Sequence, residues 1–288
     1  VIWRKPDGCQ FIQGDSDEVD LRDKITMGAW LFRDPVLKYA GFDRMDFEGA
    51  WDFGRKASLE YRSLPAEKPG FTSACLKDSG NYYLRESWEE NANLLHFTCG
   101  AMSTGHCHGD KFHVDLVLNG EDVLVDGGRS TYKDILLRFE LKGNMGHNTT
   151  IVDKKPFTTF TDSWDTRKLS LPVNRSFHTG KKAEFVQGGH LGYISEGIFV
   201  NRRIIWIKPD IYLINDQFYA TGEHEYRQYF HFAPEGCVSE ENGLLTFRGK
   251  KNAAFFQFLT EGVSLEEYSG IISRHYNQCE ENVCVRAS

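Results

Sequence analysis

Residues 104–128, TGHCHGDKFHVDLVLNGEDVLVDGG, predict a β-hairpin that carries histidines and carboxylates. Apolar runs flank Asn119-Gly120, and this pair favours a two-residue hairpin turn because both positions tolerate positive φ. Such a turn pairs Leu118 with Glu121, and apolar side chains then alternate toward one face of the hairpin, which we expect to face the core. Counting outward along regular strands, the next expected pairs include Val114 with Val125 and His113 with Asp126.

The placement of His106 and His108 relative to Asp126 has two solutions. Strict alternation puts both histidines on the core side of the hairpin, away from Asp126. A β-bulge at Gly109 would instead turn His108 toward Asp126. Without the bulge, His113 is the natural neighbour of Asp126. The residues alone leave both arrangements open.

A further histidine, His147 in GHNTTIVD, precedes another β-rich run. Two or three imidazoles and one carboxylate suit a zinc site with an open coordination position. The alternative is that the histidines are structural, which is common for an isolated His-x-His on a strand. A cupin would need a glutamate shortly after the second histidine, where this chain has Phe112 and His113.

Composition excludes several classes of protein. The 288 residues are 40% hydrophobic and 14% aromatic with a net charge of -7, so we expect a large core and no disorder. There is no basic run to bind nucleic acid and no apolar stretch long enough to span a membrane. The seven cysteines are scattered without close pairs, which favours a reducing, cytoplasmic location over a disulfide framework.

Periodicity changes along the chain. The first forty or so residues read as helical, with Asp15 and Glu18 resembling a capping box at the start. After about residue 55, short β-rich runs separated by Gly, Asn, Asp and Pro predict a large antiparallel β-sandwich or barrel. The predicted strands are Tyr82–Arg85, Leu94–Cys99, Phe112–Leu118, Val123–Val125, Thr149–Val152, Gly197–Ile207, Ile211–Ile214, Tyr226–Phe232, Leu244–Phe247 and Ala254–Leu259.

The hairpin region, together with Tyr132, Arg138 and GHNTTIVD, resembles the C-terminal half of heparinase II/III-type polysaccharide lyases. GDSDEVDLRDKITMGAWLFRD resembles the end of the helical toroid that precedes the sandwich in that family. The resemblance implies a mainly β protein, with residues 1–55 as the last helices of a truncated (α/α) toroid and residues 56–288 as the antiparallel β-sandwich. We therefore expect the rest of the toroid, with further catalytic residues, upstream of Val1.

The resemblance also implies a site. His108, Asp126 and His147 would hold one zinc ion, and His106 would face the substrate as a catalytic residue. This arrangement favours the bulge at Gly109. His113 departs from the family pattern and is either a bystander or a competing ligand.

The implied activity is β-elimination on uronic-acid-containing polysaccharides or oligosaccharides, with Tyr132 and Arg138 lining the substrate cleft. We expect the fragment to be inactive alone, and no nucleic acid or membrane among its partners. A homodimer and a periplasmic or secreted location are open alternatives, since a signal peptide would be lost by truncation. The alternative function is a non-catalytic β-sandwich module that binds carbohydrate or acts as a scaffold.

Overall fold

The computed structural model describes residues 1–102 and 105–288. Three helices precede the first strand, and a fourth follows the fifth strand. The helices are α1 (Arg22–Phe32), α2 (Pro35–Ala40), α3 (Phe47–Arg62) and α4 (Leu136–Lys142). The strands are β1 (Ala74–Leu76), β2 (Asn81–Arg85), β3 (Leu94–Thr98), β4 (Val114–Leu118), β5 (Glu121–Leu124), β6 (Thr150–Val152), β7 (Thr159–Phe160), β8 (Thr166–Lys168), β9 (Pro172–His178), β10 (Ala183–His190), β11 (Phe199–Ile207), β12 (Ile211–Tyr219), β13 (Tyr226–His231), β14 (Cys237–Glu241), β15 (Leu244–Arg248), β16 (Ala253–Gln257), β17 (Leu265–His275) and β18 (Gln278–Ala287).

The strands pair antiparallel in separate sheets. One sheet has the order β1-β2-β3-β4-β5, a second has β12-β11-β10-β9, and a third has β17-β18-β13-β6. A smaller sheet orders β14-β15-β16, and β7 pairs with β8. The predicted fold class, a mainly β antiparallel sandwich, is confirmed. All ten predicted strands are present. The long β17-β18 hairpin at the end of the chain was not predicted from the sequence.

The core explains why β2 is buried along its whole length. Tyr82 and Leu84 point into one large apolar cluster that joins the sheets, while Tyr83 between them points to the opposite face. On that face Tyr83 meets Phe11 of the N-terminal segment. The first sheet is therefore covered on both faces, which strand alternation alone does not predict.

Residues 1–20 are irregular, and the expectation of a helix starting at Asp15 is wrong. The segment carries isolated bridges, such as Arg4 with Gln10, and α1 begins only at Arg22. The physical reason is that the Asp15 side chain is buried and accepts hydrogen bonds from His108 and Arg138, which are distant in sequence. It is therefore not available to cap a helix.

The helices form a small apolar cluster of their own that includes Ala29 and Tyr61. Helix α3 breaks at Gly54, where φ is 79°, and ends at Arg62. The proposed domain boundary at residues 55/56 thus falls beside this break and stays a prediction. Among the described residues, no helix combines the length and apolar character needed to cross a lipid bilayer.

The predicted hairpin is present, with φ of 50° at Asn119 and 76° at Gly120. The pair Leu118–Glu121 is confirmed and Val117–Asp122 continues the regular register, but the regular register expected further out is wrong. A register shift places Leu124 opposite Leu116, because β5 leaves the hairpin and continues along β13. There the Val125 N–H donates to the His231 carbonyl over 3.0 Å.

Candidate metal and catalytic site

The loop before β4 settles which histidines face Asp126. Residues 105–113 are not a strand, and Phe112 adopts a φ of 69°, which breaks strict alternation. Gly109 packs so tightly that an added Cβ would lie 2.3 Å from the Asn144 side-chain nitrogen. Its N–H donates to the Lys142 carbonyl at the end of α4 over 2.8 Å. An irregular loop rather than a β-bulge therefore brings His108 close to Asp126, and His113 also lies beside Asp126.

His108, Asp126 and His147 form a buried triad. Each offers one ligand atom, and these atoms lie within 4.8 Å of one another. The His147 Nδ1 lies 2.9 Å from Asp126 Oδ2, and Gly128 N–H donates to Asp126 Oδ1 over 2.8 Å. His108 Nδ1 and His147 Nε2 are buried and have no hydrogen-bond partner among the described residues. Orphaned buried nitrogens need an explanation, and a metal ion held by both would supply one.

The protonation states in the triad suit a cation. Burial lowers the pKa of His108, so its imidazole stays neutral and keeps a lone pair for a ligand. Burial opposes the ionisation of Asp126, but the adjacent His147 and His113 outweigh burial and hold the pKa of Asp126 well below its usual range. A carboxylate beside a neutral imidazole is a donor set that zinc accepts.

His113 is close to the triad, and its Nδ1 is hydrogen-bonded elsewhere, whereas its buried Nε2 has no hydrogen bond among the described residues. The Asn148 backbone N–H donates to His113 Nδ1 over 3.1 Å. His113 Nε2 lies 3.0 Å from Asp115 Oδ1 and 3.5 Å from Asp126 Oδ2. The predicted closeness of His113 and Asp126 is therefore present, although not through the pairing that regular strands would give.

Asp15 is the site residue that the sequence analysis missed. Its carboxylate accepts hydrogen bonds from His106 Nδ1 at 3.0 Å, from His108 Nε2 at 2.9 Å and from Arg138 at 2.5 and 3.0 Å. Burial opposes ionisation, but the hydrogen bonds from His108 and Arg138 outweigh it and lower the pKa of Asp15 strongly. Its distance along the chain from its partners left no local signal that could have revealed it.

The placement of Arg138 corrects one prediction. Arg138 was expected to line a substrate cleft, but its side chain is fully buried on α4 and is bound to Asp15. A guanidinium with no exposed surface does not reach a polysaccharide. Arg138 instead neutralises Asp15 and thereby holds the segment around residue 15 against the histidine loop.

His106 lies at the surface beside an aromatic cluster. Its side chain is 60% exposed, in contrast to the buried triad. The ring meets Tyr132 and Trp164 edge-on, with centroid distances of 6.0 and 5.3 Å. Tyr132 stacks on Trp164 at 4.9 Å and contacts Tyr276 at 5.7 Å. We call Tyr132, Trp164 and Tyr276 the aromatic platform.

Of the platform residues, the sequence analysis named only Tyr132. Trp164 and Tyr276 are 46% and 44% exposed, so the platform presents apolar aromatic surface beside the His106 ring. The Arg129 guanidinium lies over the rings of both tyrosines, 5.0 Å from Tyr132 and 5.3 Å from Tyr276, and pairs with Asp17. Two exposed aromatic rings near a histidine in space, but distant in sequence, carry no signal in a single sequence.

A family model described as Heparinase II/III-like, C-terminal matches residues 68–286. The chain belongs to this heparinase II/III-like C-terminal family. The match begins after α3 and covers the strands of the sandwich and the whole triad. The resemblance inferred from the histidine motif is thereby confirmed. No curated protein sequence matches the chain.

Solved structures of heparinases have the same fold. A heparinase III gene product superposes with a TM-score of 0.79 and 16% sequence identity over 99% of this chain and 42% of that chain. Heparan sulfate lyase HepC from Pedobacter heparinus gives the same TM-score and identity, again over 99% of this chain and 42% of its own. The heparinase II/III-like chain thus spans less than half the length of these structures.

Proposed function

We propose that this chain is the C-terminal part of a polysaccharide lyase that cleaves uronic-acid-containing polysaccharides or oligosaccharides by β-elimination. The observation that carries the proposal is the contrast between His106 and its neighbours. His106 is exposed at the aromatic platform, while Asp15 behind it links it to the buried His108 and Arg138. The fold shared with heparan sulfate lyase HepC supports the same reaction class.

The hydrogen bond to Asp15 determines what His106 offers to a substrate. A carboxylate accepts hydrogen, so Nδ1 of His106 carries the hydrogen that faces Asp15. In β-elimination the C5 proton of the uronate is removed, the electrons form the C4–C5 double bond, and the bond from C4 to the leaving oxygen breaks. When its imidazole is neutral, a histidine held in this way presents its lone pair at Nε2, which suits proton abstraction at this centre, and the His106 side chain is 60% exposed. A further acid, which protonates the leaving oxygen, would come from the upstream toroid.

The substrate class follows from the surface around His106. The exposed rings of Trp164 and Tyr276 suit stacking against the apolar face of a pyranose. The Arg129 guanidinium lies 5.3 Å from the Tyr276 ring and adds positive charge next to this platform, although its side chain is only 11% exposed and pairs with Asp17.

We propose that zinc binds to His108, Asp126 and His147. The orphaned nitrogens of both histidines support this, and two imidazoles with one carboxylate fit zinc. When bound, zinc would supply a fixed positive charge that orders the histidine loop. The chain's own contribution is to hold His106 beside the aromatic platform by its hydrogen bond to Asp15.

The test is formation of an unsaturated uronate from heparan sulfate, other glycosaminoglycans and alginate, followed by ultraviolet absorbance. We expect the complete protein, including the proposed toroid, to be active and its His106→Ala variant to lose at least ~100-fold of the rate. His178→Ala, at an exposed strand end, is the matched control and should keep full activity. The isolated chain should be inactive, and rapid turnover by the chain alone would contradict the need for upstream residues.

The second candidate is a carbohydrate-binding module without catalysis, which the aromatic platform also supports. This hypothesis would replace the lyase hypothesis if no uronate polymer yields an unsaturated product while Trp164→Ala weakens oligosaccharide binding. The cytoplasmic location and the homodimer remain predictions, to be tested by fractionation of the source cells and by analytical ultracentrifugation.

A further inference from the structure

A buried row of alternating histidines and aspartates runs from the triad into the first sheet. Asp126 Oδ2 lies 3.5 Å from His113 Nε2, which lies 3.0 Å from Asp115 Oδ1. Asp115 Oδ2 in turn lies 2.8 Å from His96 Nδ1. None of these residues is more than 3% exposed. Asp115 and His96 are direct cross-strand partners on β4 and β3, so the sheet itself holds the row in register.

The hydrogen bonds of the row give His113 a defined tautomer. The Asn148 N–H donates to His113 Nδ1, so the ring hydrogen lies on Nε2 and faces Asp115 and Asp126. His113 Nδ1 is thus hydrogen-bonded within the protein, whereas Nε2 is buried without a hydrogen bond among the described residues and lies at ion-pair distance from Asp115 and Asp126. At the far end, His96 Nε2 lies 2.9 Å from Asn81 Oδ1, and the His96 ring stacks against both Phe11 and Tyr83.

We propose that His113, Asp115 and His96 form a positioning relay that fixes the orientation of the Asp126 carboxylate before metal binds, and that His113 is not a metal ligand. The inference rests on the proposed metal site. A ligand that is already oriented loses less conformational freedom when it binds, and partners of ligands typically contribute a factor of about 10–100 to metal affinity.

The test is the zinc dissociation constant, measured on the chain by competition with a chromophoric chelator. His113→Leu should weaken zinc binding about 10–100-fold, since it removes the Nε2 hydrogen and keeps the apolar volume. His113→Gln retains a donor near the Nε2 position and should recover most of the affinity. The matched control is His190→Leu, because His190 is also fully buried but packs between Phe112 and Phe157, outside the row.

The visible absorption of bound cobalt(II) distinguishes a His113 that positions Asp126 from a His113 that binds the metal directly. In the His113→Leu chain saturated with cobalt(II), the ligand-field bands should match those of the unaltered chain, whereas His108→Ala should change them. Unchanged zinc affinity in His113→Leu would overturn the relay. Altered cobalt bands with a loss as complete as that of His108→Ala would make His113 a ligand and overturn it as well.

If His113→Leu fails to fold, Asp115→Asn provides the same test. It keeps the side-chain volume but removes one of the two acceptor oxygens, so zinc affinity should fall while the cobalt bands persist; unchanged affinity would overturn the relay. A chain that binds no zinc in any form would defeat the metal proposal itself, and the relay with it. If zinc binds but its affinity is unchanged by substitutions at His113 and Asp115, the relay proposal is wrong and the metal proposal stands.

Discussion

The pair formed by Asp15 and Arg138 should be a major source of stability in the site. Arg138 is fully buried and Asp15 is 6% exposed, and two hydrogen bonds of 2.5 and 3.0 Å join them. If one partner is removed, the other is left as an uncompensated buried charge, which typically costs about 3–5 kcal/mol. We therefore expect Asp15→Asn and Arg138→Met each to lower the free energy of unfolding by roughly 3–5 kcal/mol.

The double variant distinguishes this explanation from simple loss of packing. In Asp15→Asn/Arg138→Met no unpaired charge remains, so its cost should be close to that of one single variant. The resulting coupling energy is then about the cost of one single variant, roughly 3–5 kcal/mol. Two independent cavity effects would instead add.

The assay is urea unfolding at neutral pH, followed by circular dichroism and tryptophan fluorescence, with a chelator present so that metal binding does not contribute. Glu266→Gln is the control, because it breaks an ion pair with Arg286 in which Glu266 is 59% exposed, and it should cost less than ~1 kcal/mol. Single variants that cost under ~1 kcal/mol, or that add without coupling, would refute the reasoning.

Three further predictions follow from particular contacts. Gly128→Ala should destabilise the chain by at least ~2 kcal/mol more than Gly197→Ala, as urea unfolding would show: both have positive φ, but only at Gly128 does an added Cβ lie 2.0 Å from a backbone oxygen. Burial disfavours ionisation of Asp216, yet Arg202 outweighs burial and lowers its pKa; the stability it contributes is present above about pH 4 and lost as pH falls further, so Asp216→Asn should flatten the acid dependence of the unfolding free energy. Chelation should lower the melting temperature, since a site filled at 100 times its dissociation constant adds about 2.7 kcal/mol, and His108→Ala should abolish that response.

Much of the fold was accessible from local patterns. Alternation and turn residues predicted ten strands, and Asn119-Gly120 predicted the hairpin turn. These features depend on residues within a few positions of one another, so a single sequence contains them. The β17-β18 hairpin was missed because polar residues dominate it, and many of its side chains are exposed.

The helical expectation for residues 1–20 failed for a related reason. A capping-box pattern at Asp15 and Glu18 is a local signal. The hydrogen bonds of Asp15 with Arg138 and the histidines stabilise its carboxylate more than a helix N-terminus would. The segment is held in an irregular conformation because it covers the outer face of the first sheet with Phe11. Contacts across the fold override a weak local preference.

The sequence by itself determined the β class, the hairpin and the set of chemical groups near it: the histidines, Asp126 and the motif that carries the family resemblance. Only the tertiary structure decided which groups meet. It brought both His108 and His113 close to Asp126, through an irregular loop in place of a regular strand, and it buried Arg138. It also brought Asp15 to His108 across 93 positions of the chain. Local conformation follows from neighbouring residues, whereas convergence of a site depends on how distant elements pack, and alternation within one strand does not encode that packing.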